Sequence, residues 1–288
     1  MSGPMVWVDG AVVPAAAARI SALDRGFRGG EGVFTTLRAD RARVLRLGAH
    51  LDRLTQDAQV LGLELDREEL TTAVAATVAA NRHLGASLAV RVTCSAGPVD
   101  LSHAFPASGP TRPTVVVTAQ AVGSAVGSAR GEPVPWHRPM AELKSTSYLP
   151  ATLAQRRAVV AGATDALLCD DAGRVVEAAS ANLFVVLDGE VRTAPLDAGV
   201  LPGVTRTAVI EVLASLGRPV REQACTLPEL AGAEEAWLTS SVRGIRALTH
   251  LGGDPIASGE PGPITEQVRT GYQALLAREQ LPLPGVTP

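Results

Sequence analysis

Three short peptides limit what this chain can become: Asp9-Gly10, Asp170-Asp171-Ala172-Gly173 and Asp188-Gly189, each set between two short apolar runs. Asp-Gly suits the tight turn that needs positive φ at its central residues, so Asp9-Gly10 and Asp188-Gly189 mark β-hairpins, and the four-residue connection Asp170 to Gly173 marks another. The paired runs are Val6 to Val8 with Ala11 to Val13, Ala166 to Cys169 with Arg174 to Glu177, and Asn182 to Leu187 with Glu190 to Thr193. A further hairpin joins Val33 to Leu37 and Arg43 to Leu45 through Ala39-Asp40-Arg41, while Leu88 to Thr93, Thr114 to Thr118 and Ala236 to Thr239 read as single strands.

Between these strands the apolar spacing becomes helical. Leu51, Leu54, Ala58 and Leu61 form a stripe from Leu47 that ends near Gly62, and Asp66 with Glu69 frames a capped start for Leu70, Val74 and Val78. Pro150 and Gly162 bracket another helix, Pro202 and Gly217 bracket Gly203 to Leu216, and Thr265 to Arg278 closes the chain's helices. The fold class is therefore α/β of the mixed α+β kind. A length of 288 residues suggests two domains or one large one. The run AVGSAVGSARGE, 121–132, is poor in core formers and reads as a linker between a small N-terminal α+β domain, 1–120, and a larger C-terminal domain, 133–288.

A net charge of -3 and nine aromatic residues leave neither a basic field nor a stacking surface, so nucleic acid is not an expected partner. The start MSGPMVWVDG lacks a basic segment followed by an apolar one, which predicts no signal peptide. The longest uncharged stretch, Pro113 to Ala129, carries several hydroxyl, amide and glycine residues and predicts no membrane span. Cys94, Cys169 and Cys225 are odd in number and widely spaced, which fits a reducing cytoplasm. His50, His83, His103, His137 and His250 stand apart from one another and from the cysteines, so no metal is expected. There is no Gly-Lys of a Walker A loop, no GxGxxG before a helix and no GxSxG.

Of 26 basic residues, 25 are arginine and only Lys144 is lysine. Arginine replaces lysine in surface charge but stays protonated, whereas an amine can lose its proton and attack a carbonyl. Lys144 is thus either a leftover surface residue or a nucleophile. Leu201 to Ala208, LPGVTRTA, puts free N–H groups and the Thr205 hydroxyl at a helix start, as an anion site or an ordinary capped helix would. Thr239 to Gly244, TSSVRG, adds hydroxyls at a strand end and is also compatible with a polar turn. Glu177 is either a solvated edge carboxylate or a group that keeps a pyridine ring protonated.

Six ordered segments resemble the class IV, fold-type IV aminotransferases, which use pyridoxal 5′-phosphate: DRGFRGGEGVFTTLR (Asp24 to Arg38), HLDRL (His50 to Leu54), LKSTSYLP (Leu143 to Pro150), GATDALLCDDAGRVVEAASANLF (Gly162 to Phe184), GVLPGVTR (Gly199 to Arg206) and EAWLTSSVRG (Glu235 to Gly244). The resemblance implies a two-domain fold whose C-terminal part is a pseudo-barrel. It implies Lys144 as Schiff-base lysine and proton shuttle, Glu177 opposite the pyridine nitrogen, and Arg53, Val204, Thr205, Ser240 and Ser241 around the phosphate. Leu201 would pack on the ring, and Tyr148 would lie near the ring hydroxyl. It further implies a homodimer in which the loop around Arg28 reaches the neighbour's site.

For a substrate carboxylate, Arg28, Arg91, Arg243 and Arg246 are candidates, each equally able to be a surface ion pair, with Thr36 beside them in the Phe34-Thr35-Thr36 stretch. That stretch resembles aminodeoxychorismate lyases, yet Lys144-Ser145-Thr146-Ser147 replaces their Lys-His-x-Asn pattern. Leu88 to Gly97 lacks the Arg-x-His pair of well-known D-amino-acid transaminases. The expected activity is transfer of an amino group from a D-amino acid, with (R)-amines as weaker donors, to a 2-oxo acid such as 2-oxoglutarate or pyruvate. A lyase, a branched-chain L-amino-acid aminotransferase and a non-enzymatic carrier of the cofactor are the alternatives.

Overall fold

A computed structural model describes residues 3–99, 112–123, 127–135, 140 and 142–286. His103 and His137 lie outside them. The chain divides into two units: 1–123 with Leu143–Ser147 and 279–288, and 124–142 with Tyr148–Arg278.

The first unit begins with β1 (Met5–Val8) and β2 (Ala11–Pro14), joined as Asp9-Gly10 predicts, both with positive φ. Helix α1 (Arg25–Gly29) follows, a single turn ahead of the strand that begins at Gly32. Strands β3 (Gly32–Asp40) and β4 (Arg43–Leu45) turn on Arg41 and Ala42, both at positive φ, so the connection is tighter than the three residues expected. Then come α2 (Leu47–Val60), α3 (Arg67–Ala80), β5 (Ser87–Ser95) and β6 (Thr114–Ala121). Asp66 caps α3 by accepting from the Glu68 and Glu69 N–H groups. Leu51, Leu54, Leu70 and Val74 bury the inner faces of both helices against Leu37, Val90 and Val117 of the sheet.

The second unit opens with β7 (Ala129–Pro135), followed by α4 (Leu149–Val160), β8 (Asp165–Cys169), β9 (Arg174–Ala178), β10 (Ala181–Leu187) and β11 (Glu190–Thr193). It continues with α5 (Val204–Ser215), β12 (Val220–Glu222), β13 (Cys225–Thr226), α6 (Leu227–Ala231), β14 (Glu235–Ser240), β15 (Gly244–Leu251), β16 (Asp254–Pro255) and α7 (Pro263–Glu279). The order β10-β14-β15-β7-β8-β9 returns to β10 through the rungs Ala181 to Ala178 and Asn182 to Glu177, so six strands close into a barrel. Leu167, Leu183, Val185, Leu238 and Leu248 belong to one of its cores. The final strand, β17 (Gln280–Pro282), pairs with β4 and completes the first unit's antiparallel sheet, β17-β4-β3-β5-β6-β1-β2.

The expected linker at 121–132 needs correction. Ala129–Glu132 are in β7, laddered to β8 and β15, and the barrel wall requires the small residue at Gly131, where a Cβ would sit 2.5 Å from Leu167 Cδ1. The single cut at that point fails for a second reason. Phe34 N–H donates to Lys144 C=O and Thr146 N–H to Gly32 C=O, so Leu143–Ser147 extends the ladder of the first unit.

Candidate active site

The residues singled out by sequence fall into two groups, each within one unit. In the first unit, α2 carries His50, Arg53 and Asp57 at three- and four-residue steps, one helical face, and all three are buried. Asp57 Oδ2 accepts the Lys144 backbone N–H at 3.2 Å. Arg53 Nη2 donates to Thr35 Oγ1 at 3.2 Å, and that hydroxyl lies 2.9 Å from His50 Nδ1. Having accepted from Arg53, Thr35 keeps its own hydrogen for His50, which suits a neutral imidazole protonated at Nε2. Burial, with Arg53 and Lys144 as neighbouring charges, pushes His50 down to about 3. Burial also lowers Arg53, against the opposing charge of Asp57.

The Lys144 Nζ lies 4.7 Å from the centre of the Phe34 ring, and the Arg91 guanidinium carbon lies 3.5 Å from the same centre. Arg91 opposes Thr36 across the β3–β5 ladder and donates through Nε to Thr93 Oγ1 at 3.2 Å. Arg28 is exposed near the end of α1 with Phe27, which is 72% exposed.

In the second unit, Glu177 is 4% exposed at the barrel seam, directly opposite Asn182. Its Oε2 accepts from Asn182 Nδ2 and from the Leu201 N–H, each at 3.2 Å, and the same Asn182 amide donates to the Leu201 C=O at 2.9 Å. The carboxylate is therefore pinned, not solvated. Gly203, just ahead of α5, gives no side-chain cap, and a Cβ there would meet Asn182 Oδ1 at 2.1 Å. The first α5 N–H groups thus have no side-chain cap, an arrangement able to bind an anion, and Val204 and Thr205 form the first turn. Thr205 Oγ1 and Ser241 Oγ lie 3.3 Å apart, with Ser240 at the end of β14, so hydroxyls from two segments converge at the helix start.

Three expected residues have partners within the second unit. Arg246 is 4% exposed and paired through Nη1 with Asp165 Oδ2 at 2.8 Å; burial lowers its pKa and Asp165 opposes that shift. Arg243 Nη2 bonds Ser180 Oγ at 2.7 Å and pairs with Asp165 Oδ1 at 3.2 Å. The Tyr148 phenol donates to the Ala179 C=O at 2.7 Å. Sequence reasoning missed Asn182, Asp57 and His50 as partners of the site. The helical spacing of His50, Arg53 and Asp57 was a usable signal, whereas nothing local links Asn182 to Leu201.

Within the second unit, the pinned carboxylate and the uncapped helix start with its hydroxyls are groups that fit a ring with one basic nitrogen and a phosphate tail. No group of three or more metal-ligating side chains occurs among the described residues, nor is any helix among them long and apolar enough to cross a membrane. Cys94, Cys169 and Cys225 are free and buried, and burial pushes Cys94 and Cys225 up to about 12.

The family model described as amino-transferase class IV matches residues 32–251. A Methanocaldococcus jannaschii protein provisionally named a branched-chain-amino-acid aminotransferase is 30% identical over 93% of this chain and 95% of its own. The D-alanine aminotransferase of Staphylococcus epidermidis is 26% identical over 93% and 96%. The crystal structure of a branched-chain aminotransferase from Thermoproteus uzoniensis with norvaline superposes with a TM-score of 0.87 at 30% identity, covering 99% of both chains.

Proposed function

We propose that this chain, which belongs to the class IV aminotransferases and so works with pyridoxal phosphate, transfers the amino group of a D-amino acid to a 2-oxo acid such as 2-oxoglutarate or pyruvate. The observation that carries a carboxylate-bearing donor is the shared Phe34 ring: it holds the Lys144 amine and a permanent cation, Arg91, on one aromatic group. Arg243 and Arg246 pair with Asp165, and the arginines assigned to a substrate carboxylate are Arg91, for its place on the Phe34 ring with Lys144, and the exposed Arg28. The likeness to D-alanine aminotransferases supports the D hand. The archaeal relatives favour a second reading, in which the donor is a branched-chain L-amino acid.

The cofactor supplies an aldehyde and an electron-accepting ring that stabilises charge left at the substrate Cα. Lys144 Nζ would hold the aldehyde carbon and, once free, would move the proton from the substrate Cα to that carbon. Glu177, fixed by Asn182 and the Leu201 N–H, keeps a proton on the ring nitrogen. In this reading the α5 N–H groups with Val204, Thr205, Ser240 and Ser241 hold the phosphate, Arg53 is the phosphate arginine that the family resemblance implies, and Leu201 packs on the ring. Tyr148, bonded to Ala179, steadies the turn after Glu177. The enzyme works as a homodimer, a reading supported by the exposed Ile20, Leu23 and Phe27 beside Arg28.

The test is a panel of D- and L-amino acids and carboxylate-free (R)-amines with both acceptors. D-alanine or D-glutamate should be the best donor. Faster turnover of L-leucine or L-valine selects the second reading, and release of pyruvate from aminodeoxychorismate above every transamination rate would overturn both.

A further inference from the structure

Arg243 is exposed enough to meet a substrate, yet its bonds run the other way. Its anchor, Asp165, is 1% exposed and carries Arg246 Nη1 and Thr164 Oγ1 on Oδ2, at 2.8 and 2.7 Å. Arg246 is fixed in turn by Thr164 Oγ1 at 3.3 Å and by the Gly127 C=O at 3.2 Å. From this buried node the Arg243 guanidinium extends to Ser180 Oγ. Ser180 lies beyond the last β9–β10 rung, Ala178 to Ala181, and Arg243 beyond the last β14–β15 rung, Ser240 to Gly244. The β10–β14 ladder that joins the two hairpins ends at the Asn182 to Thr239 rung, short of both turns, and beyond it the Arg243–Ser180 bond is a side-chain contact that spans them.

We propose that Arg243, anchored on Asp165, is a positioning residue that sets the spacing between the turn after Glu177 and the turn bearing Ser240 and Ser241. This rests on the reading that those residues hold the two ends of the cofactor. Such a span must be held to about 0.5 Å, and a charge-assisted bond from a buried node is suited to that. An arginine used as a substrate fork would have to give up both partners.

Three variants test this: Ser180→Ala, Arg243→Ala and Arg243→Lys. In the full chain freed of cofactor, Ser180→Ala should speed backbone amide exchange at 240–244 about tenfold, although the change is made on the other turn. Arg243→Ala should speed exchange in both turns and weaken pyridoxal phosphate binding about 10–100-fold, with Arg243→Lys restoring part of it. Donors with and without a carboxylate should lose kcat/KM by the same factor. Unchanged exchange at 240–244 in Ser180→Ala, or an Arg243→Ala loss confined to carboxylate-bearing donors, overturns the proposal. If Arg243→Ala does not fold, the exposed Ser180 decides the matter. A wild-type chain that fails to bind pyridoxal phosphate would refute the cofactor reading instead, and the exchange measurement would still judge the brace.

Discussion

The Lys144 amine and the Arg91 guanidinium share one aromatic neighbour, lying 4.7 and 3.5 Å from the centre of the Phe34 ring. The two cations differ in kind: an amine can give up its proton to do chemistry, and a guanidinium cannot. That division of labour is what an amino acid asks of a protein, reaction at nitrogen and a permanent charge for the carboxylate.

Arg91→Ala should therefore lower kcat/KM for amino acids about 10–150-fold relative to carboxylate-free amines, the cost of a bidentate charged contact. Steady-state rates with D-alanine and a simple (R)-amine measure the ratio. An equal loss for both donors would assign Arg91 to packing on Phe34 alone.

Lys144 is the chain's one lysine. Borohydride treatment should fix pyridoxal phosphate to the peptide containing Lys144 and nowhere else, as read by mass spectrometry. Lys144→Ala should abolish turnover while leaving the melting temperature nearly unchanged, because the residue is only half-buried.

Glu177→Gln keeps the shape of a group held by Asn182 and the Leu201 N–H and removes its charge. Cofactor should still bind, and the isolated half-reaction should slow by about 10²–10³-fold, the typical effect of one preorganised charge. An unchanged half-reaction rate in stopped flow would discard the proposed role.

Gly203→Ala would place a Cβ 2.1 Å from Asn182 Oδ1, so Asn182 must move and loosen its hold on Glu177. The expected cost is about 1–3 kcal/mol in stability, accompanied by weaker cofactor binding. Urea titration and fluorescence quenching by added pyridoxal phosphate would check both.

His50 has its folded pKa lowered to about 3 from 6.5, with burial the main cause. Between those values the unfolded chain binds the extra proton, so stability is complete above pH 6.5 and falls as pH drops toward 3. The slope attributable to this group approaches about 1.4 kcal/mol per pH unit within that window. In His50→Gln, whose amide cannot titrate, urea midpoints for the cofactor-free chain should fall less steeply with acid. A parallel fall in both proteins would remove His50 as the source.

Elements that a few neighbouring residues can specify were legible in the sequence. Asp9-Gly10 made its hairpin and Asp66 its cap because turns and helix ends are decided within about four residues. The solitary Lys144 and the LPGVTRTA helix start pointed to the chemistry for the same reason: composition and local donor geometry are sequence properties. What depended on distant partners was not readable. Ala129–Glu132 looked like a linker and became barrel wall, because two strands more than thirty residues away supply its ladder and leave no room for a side chain at Gly131. Arg243 and Arg246 read as interchangeable substrate cations until Asp165, some eighty residues earlier, claimed both. Glu177 became a pinned charge only when barrel closure set it against Asn182 and Leu201. Local spacing fixes which groups are available, while the pairing of strands far apart in the chain decides which of them remain free to act.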